Sequence, residues 1–322
     1  MGAYIVRRIL ITLVMLLAAS VLGFGVMKLT PGNYFQRLLQ DPRINRTYVE
    51  QEIAKRGLNK PVTQQYGLWL WRLGHGDMGT SFIHNQPVAK VIGSRLINTL
   101  VMNLAAITVT WVLAIPLGIY AAVHQYRWSD KLLSGLSFVG MSTPGFFLAL
   151  LLMWIFSGLL GLLPAGGLTG VDHDRLSVAG KLADYAAHLA IPTVVLSVGA
   201  LASLQRITRG NMLEVLRQQY IVTARAKGLS ERRVIYRHAL RNAINPLITI
   251  FGYEFAGLFS GAALMEIILN YPGMGMLMYD SIQAKDEPMV MAGFLMGAMM
   301  LLLGNLLADV LLAVVDPRIS YR

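Results

Sequence analysis

Three groupings of residues in this chain carry side chains able to do chemistry. Asp172-His173-Asp174 offers metal-capable groups, but three adjacent residues cannot all converge on one ion unaided, so the stretch reads as a solvated loop and no metal site is assigned. Glu254 lies in a long apolar run that starts at Ile244. At 1.5 Å per residue it sits about 15 Å in, near the middle of a roughly 30 Å hydrocarbon layer. A bare carboxylate there costs several kcal/mol, so it must face a polar cavity or a partner group, or take up a proton. The third grouping is basic: nine Lys and Arg residues between Arg206 and Arg241 stand against only Glu214 and Glu231. Patterns for self-contained catalysis are missing. The one Gly-Lys pair, Gly180-Lys181, is followed by Leu182 rather than Ser or Thr, and neither a zinc-protease motif nor a Ser-His-Asp grouping at family spacing occurs.

The elements that must position these groups are set by composition. Of 322 residues 55% are hydrophobic and 14% charged, with a mean hydropathy of +0.54, which excludes an ordinary soluble domain and predicts an all-α integral membrane protein. The net charge of +11 is spread among apolar runs with no stacking or zinc-binding module beside it, so nucleic acid is not an expected partner. There is no cysteine, hence no disulfide and no thiolate chemistry.

Six apolar runs are long enough to span: Ile9–Leu29, Asn98–Ala122, Leu132–Ser157, Ala186–Leu204, Ile244–Leu269 and Met289–Val314. The organisation read from them is residues 1–29 as N-terminus and first span, 30–95 as a large extracytoplasmic segment, and 96–322 as a core of five spans that includes a basic loop over 206–243. Termini and short loops on one side hold fifteen basic residues, against Arg175, Lys181 and Lys285 on the other. This places both termini and the basic loop in the cytoplasm. In the 30–95 segment Thr47 to Glu50 reads as a capping box opening a helix that stops near Gly57. A second short helix, Gln64 to Leu73, carries Tyr66, Trp69 and Trp71, which suit either interfacial anchoring or a partner protein.

Within the spans, Ser142-Thr143-Pro144-Gly145 predicts a kink, either structural or beside a pathway. Gly257 and Gly261 follow Glu254 at three and seven residues, a small-residue face on the same side of one helix, so Glu254 is predicted to look inward. Contact with a substrate amine and a structural bond between helices are both open readings for it. In the basic loop, residues Ile221 to Lys227 read as a short helix stopped by Gly228, with Ser230 as N-cap of a second helix reaching about Ala243. On composition alone that loop reads first as a topology signal, and only its wording points further.

Seven sequence blocks then carry a resemblance along essentially the whole chain. They are RGLNKPVTQQYG from Arg56, GDMGTSF from Gly76, QPVAKVIGSRLINTL from Gln86, IPLGIYAA from Ile115, TARAKGLSERRVIYRHALRNAINP from Thr223, YPGMGM from Tyr271 and LLADVLLAVVDPRIS from Leu306. In this order they resemble the membrane permease subunits of ABC importers for dipeptides, oligopeptides and nickel, and among these the B-type subunit. The resemblance implies a non-catalytic subunit that binds no cofactor itself. Its implied partners are a second homologous permease, two cytosolic ATPases carrying ATP and Mg, and an extracytoplasmic substrate-binding protein that contacts the 30–95 segment. It also implies that the basic loop holds the coupling helix, with Tyr220, Thr223, Ala224, Arg225, Ala226, Lys227, Gly228 and Leu229 meeting an ATPase. Val222 stands where the wider motif has glutamate, and Gln219 where this branch often has an acid. Glu254, Gly257, Gly261, Ser142 and Pro144 are the pathway candidates.

The implied mechanism is ATP-driven alternating access, with peptides as cargo and nickel or another small solute as the alternative. A reading from another class, an ion-coupled secondary transporter, predicts paired intramembrane charges and inverted repeats. A membrane scaffold without transport is the third.

Overall fold

The computed structural model describes residues 2–39, 45–259 and 262–315. Among these the regular structure is helical, apart from one isolated bridge between Thr80 and Pro87. Gly261 and the tail 316–322 lie outside the described residues.

Two helices form the axis of the fold, α5 (Val88–Val123) and α8 (Val178–Leu216). Their 36 and 39 residues correspond to roughly 54 and 58 Å at 1.5 Å per residue, well beyond the 30 Å that a span requires. The predicted second and fourth spans are therefore the middles of longer helices, and Arg206 to Leu216, read as the start of the basic loop, continues α8. The two approach closely where α5 lacks a side chain. A Cβ on Gly118 would lie 2.6 Å from Thr208 Cβ and 2.8 Å from the Gln205 carbonyl oxygen. Pro116 sits inside α5 without ending it.

Among the described residues four helices are long and apolar enough to cross a membrane: α1 (Gly2–Leu29), α5, α8 and α15 (Glu287–Val315). The predicted third span is not one helix with a kink. It is α6 (Trp128–Ser142) and α7 (Gly145–Leu152, continued as a π-helix to Leu159), bent by 100° at the break, and it makes a fifth crossing if the pair is one span. Pro144 causes the break: its ring excludes Thr143 from the helical region, and Thr143 is extended at φ −82°, ψ 118°.

The predicted fifth span is likewise not continuous. After α9 (Gln219–Ala226), α10 (Glu231–Arg233), a π-helical stretch to Ala239 and α11 (Leu240–Ala243), α12 (Asn245–Ala256) ends in a 3-10 turn over Gly257–Phe259. Then α13 (Ala263–Ile268) and α14 (Met274–Ala284) fold back as a short hairpin. Gly257 therefore lies past the end of α12, in the 3-10 turn, while Gly261, its partner in the expected GxxxG face, lies outside the described residues. A Cβ on Gly257 would meet nothing within 4 Å. The sequence pattern missed that glycine spacing also marks a place where the helix is weak.

Segment 30–95 holds α2 (Tyr34–Leu38), α3 (Arg46–Lys55) and α4 (Val62–Gly74). Phe35, Val49 and Phe82 form its small core, with the Arg56 guanidinium 4.8 Å from the Phe82 ring centre. The cap of α3 is Asn45, whose side chain accepts from Thr47 N–H at 2.9 Å, so the Thr47–Glu50 capping box is corrected to an Asn cap one residue before the helix. Asp286, fully buried, clamps the segment to α15: it accepts from Ser81 Oγ at 2.5 Å and from the backbone N–H of Phe82 and Ile83 at 2.9 and 3.1 Å.

Replacing Gly118 by Leu should separate α5 from α8. A destabilisation of about 1–3 kcal/mol is expected for overpacking of this kind. Thermal unfolding of the purified protein in detergent measures it, and an unchanged midpoint would show that the helices tolerate the extra volume.

Candidate functional site

The basic hairpin is built on α9. Its helix closes with the pattern its sequence demands: Lys227 is the cap, Gly228 takes φ +74°, Gly228 N–H donates to the Arg225 carbonyl at 2.9 Å, and Leu229 N–H to the Ala224 carbonyl at 3.4 Å. This is the double bond of a Schellman end, which needs a residue at ease in the left-handed region. Ser230 is the N-cap of α10 as read, but its hydroxyl caps nothing; its carbonyl accepts from Val234 N–H at 3.0 Å.

One face of α9 is buried and the other free. Ile221 and Ala224 pack with Ile119 and Ala122 at the end of α5, Met212 of α8, and Val234, Ala239 and Ala243 of the following helix. Ala224, placed among the contact residues by resemblance, therefore belongs to the anchoring face. Tyr220, Thr223, Arg225, Ala226, Lys227 and Gly228 are exposed, and Leu229 is half-buried. Two of these are already oriented by the second helix of the hairpin. Arg225 reaches Glu231 with Nε at 2.8 Å and a second nitrogen at 3.3 Å, and Asn242 donates to the Tyr220 hydroxyl at 2.7 Å.

Glu254, on α12, accepts from the Trp111 indole N–H of α5 at 2.5 Å, and Phe251 meets the edge of that ring at 5.0 Å. Of the two readings left by the sequence, the bond between helices is the one seen. Ser142 and Pro144, at the α6–α7 break, are exposed on the surface of this single chain. Beside the break lies a cavity of about 200 Å³ whose walls include Gly140, Thr143, Gly145, Gly199 and Met265.

Sequence reasoning passed over a second acid. Glu266 on α13 is fully buried, accepting from Thr99 Oγ1 of α5 at 2.8 Å and from Met276 N–H of α14 at 2.9 Å. Thr99 in turn accepts from Met274 N–H at 2.8 Å. Asn98 donates to the Pro272 carbonyl at 2.8 Å, and the Tyr271 hydroxyl donates to the Asn98 carbonyl at 3.0 Å. A Cβ on Gly273 would stand 2.2 Å from a Glu266 carboxylate oxygen, which explains the glycine after Pro272. The signal was present: an acid five residues before Tyr-Pro-Gly inside an apolar run needs partners. A third buried acid, Asp130, takes a two-pronged bond from Arg209 at 2.7 and 2.8 Å and ties α6 to α8. His173, from the triplet read as a solvated loop, instead turns inward to Asp184 at 2.6 Å.

Comparison with known proteins agrees with this arrangement. The chain is 41% identical to an oligopeptide transport system permease protein, AppB, of Bacillus subtilis over 100% of both chains. It is 35% identical to the dipeptide transport system permease protein DppB of Escherichia coli K12, over 99% of each. A chain from the inward-facing MetNI methionine ABC transporter superposes with a TM-score of 0.55 at 18% identity, covering 70% of this chain and 96% of that one, a likeness of fold. Residues 114–321 match the family described as binding-protein-dependent transport system inner membrane component, a range that holds the basic hairpin and Glu266 but not Asn98 and Thr99. The chain belongs to that family, the membrane components of binding-protein-dependent transport systems.

Proposed function

We propose that the chain is one of two homologous permease subunits of an ATP-driven importer of short peptides, and that α9 is the point at which a separate ATPase acts on it. The observation that carries this is the geometry of α9. A short helix presents a small, basic, exposed face, Thr223, Arg225, Ala226 and Lys227, while Ile221 and Ala224 bolt it to the ends of α5 and α8. A push on the exposed face is then a push on the two longest helices. Relatives named for oligopeptide and dipeptide transport, aligned over the full chain, support peptide cargo.

In this reading two ATPases, carrying ATP and Mg, close on ATP and shift both coupling helices, and a loaded binding protein docks on the opposite side against segment 30–95. Since a ligand moves an equilibrium only by its differential affinity for the two states, ATP and the loaded binding protein must both favour the outward-open form. Hydrolysis resets it. The hairpin and both termini lie in the cytoplasm. The wall of the route includes Ser142 and Pro144, exposed here and facing the second permease, together with the glycine-lined cavity beside them. Chemistry on ATP belongs to the partners, and this chain supplies the path.

Two substitutions test the reading. Gly228→Val puts a β-branched residue at φ +74°, where even an ordinary side chain costs roughly 1–2 kcal/mol, and loosens the end of α9. In the reconstituted complex, peptide uptake should fall at least tenfold while the subunits still copurify; unchanged coupling between ATP hydrolysis and uptake would remove α9 from the mechanism. Glu254→Gln keeps an acceptor for Trp111, so uptake should stay within about twofold of normal, whereas Glu254→Leu should destabilise the chain by about 1–3 kcal/mol through an unpaired indole N–H. A large loss of uptake in the Gln variant alone would instead assign the carboxylate charge to cargo.

A further inference from the structure

Between α1, α3, α4 and the start of α15 lies a cavity of about 510 Å³, large enough for a small-molecule ligand. Its level relative to the bilayer follows from its walls. Lys28 and Glu287, paired at 2.7 Å, mark the ends of α1 and α15 and so one membrane boundary. Phe24 and Met291 in the wall lie four residues inside that pair, about 6 Å deeper at 1.5 Å per residue. Helix α4 reaches deeper still: its Tyr66 hydroxyl is 2.8 Å from Ser20 Oγ, and its ring packs 5.1 Å from Phe24. Ser20 is eight residues below Lys28, about 12 Å. The cavity thus straddles the headgroup layer and the first turn of hydrocarbon.

Its chemistry divides the same way. Phe24, Leu68 and Met291 line the inner part. Among the charged groups around it, Arg56 is held by Glu52 at 3.0 Å and Glu287 by Lys28. Arg72 and Asp77 are different: both line the cavity, and neither makes an ion pair with the other or with any other described residue. Asp77 accepts one bond, from Gly79 N–H at 2.8 Å. A lone cation and a lone anion five residues apart match a zwitterion better than an anion. Trp69, in the same wall, has its indole N–H buried without a partner among the described residues. Below Phe24, on the same side of α1 by helical spacing, Val21, Leu17, Val14 and Leu13 are exposed at 51–67%, a greasy track that leads up to the cavity.

We propose that this cavity holds one phosphoethanolamine-headed membrane lipid, its phosphate on Arg72, its ammonium on Asp77 and an acyl chain along the α1 track. A short zwitterionic peptide shares the charged ends, but not the hydrocarbon track or the depth, so the lipid is the occupant the walls favour. The assignment rests on the membrane setting and not on peptide import. Bound there, the lipid pins α3 and α4 to α1 and α15.

Native mass spectrometry of the full chain, released from nanodiscs of defined lipid, tests it. One phosphatidylethanolamine should be retained per chain, at least fivefold more than phosphatidylcholine or phosphatidylglycerol. Arg72→Gln and Asp77→Asn should each abolish that preference, and Arg72→Lys should keep it, with thermal unfolding confirming that the variants fold. Equal retention of all three lipids, or a preference that survives both substitutions, would overturn the proposal. So would displacement of the lipid by millimolar dipeptide or by soluble phosphoethanolamine, which would make the cavity a site for soluble ligands. Loss of the lipid with uptake intact would leave the importer reading standing.

Discussion

A backbone that leaves its helix within a membrane has no water to turn to, and among the described residues this chain leaves it at Thr143, at Gly257 and after α13. The first of these is closed by a local side chain and the last by groups that include a distant one, as a low-dielectric setting requires. At Thr143 the hydroxyl bonds back to the Val139 carbonyl at 2.7 Å while Pro144 opens the next helix. After α13 the turn Tyr271-Pro272-Gly273 would leave amides bare, and Glu266 and Thr99 supply the acceptors. A carboxylate that is fully buried persists because three hydrogen-bonding groups converge on this knot from two elements. Removing one partner would strand the others, which costs more than the bond itself contributes.

The knot also explains how the two ends of the protein can be coupled. Thr99 near the start of α5 holds the α13–α14 hairpin, and Ile119 and Ala122 near the end of the same helix hold Ile221 and Ala224 of α9. From Thr99 to Ala122 is about 35 Å along one unbroken helix at 1.5 Å per residue. Helix α8 runs alongside, touching α9 through Met212 at one end and Met265 of α13 through Ile191 and Val195 further along. A packed pair of this kind gives a continuous path of contact from α9 to the hairpin, so a push at one end has no need of a chain of side-chain switches to be felt at the other. The Asp130–Arg209 bond adds α6 to that pair at the start of α6, the end far from the α6–α7 break.

Much of this was legible in the residues. Apolar runs located four crossing helices, and the Gly228 stop with its flanking helices was read correctly because it is local chemistry, decided by one residue's φ. Pattern reading failed where a long-range partner decides. An apolar run of 26 residues looks like one span whether or not its middle is broken, and at Gly257 a glycine that weakens the helix meets packing against α15 and α5 that the run does not reveal. For the same reason Glu254 drew notice as the deepest acid by count, while Glu266 and Asp286, nearer the ends of their runs, are the fully buried ones. Counting residues gives depth along a straight helix, and these helices are not straight.

Segment 30–95 shows how the same constraint works at a membrane boundary. Its small core of Phe35, Val49 and Phe82 is too slight to fix a fold alone, since a cluster of this size buries little surface against the entropy of ordering the chain. What fixes it is attachment. Asp286 grips the backbone at Phe82 and Ile83 and Ser20 meets Tyr66, so two separate contacts tie the segment to the entry of α15 and to α1, which Lys28 and Glu287 join to each other. A surface held in this way stays in register with the spans beneath it. A partner that docks on it therefore acts on α1 and α15 rather than on a loose flap, and the end opposite α9 gains a handle as firmly joined to the bundle as α9 itself.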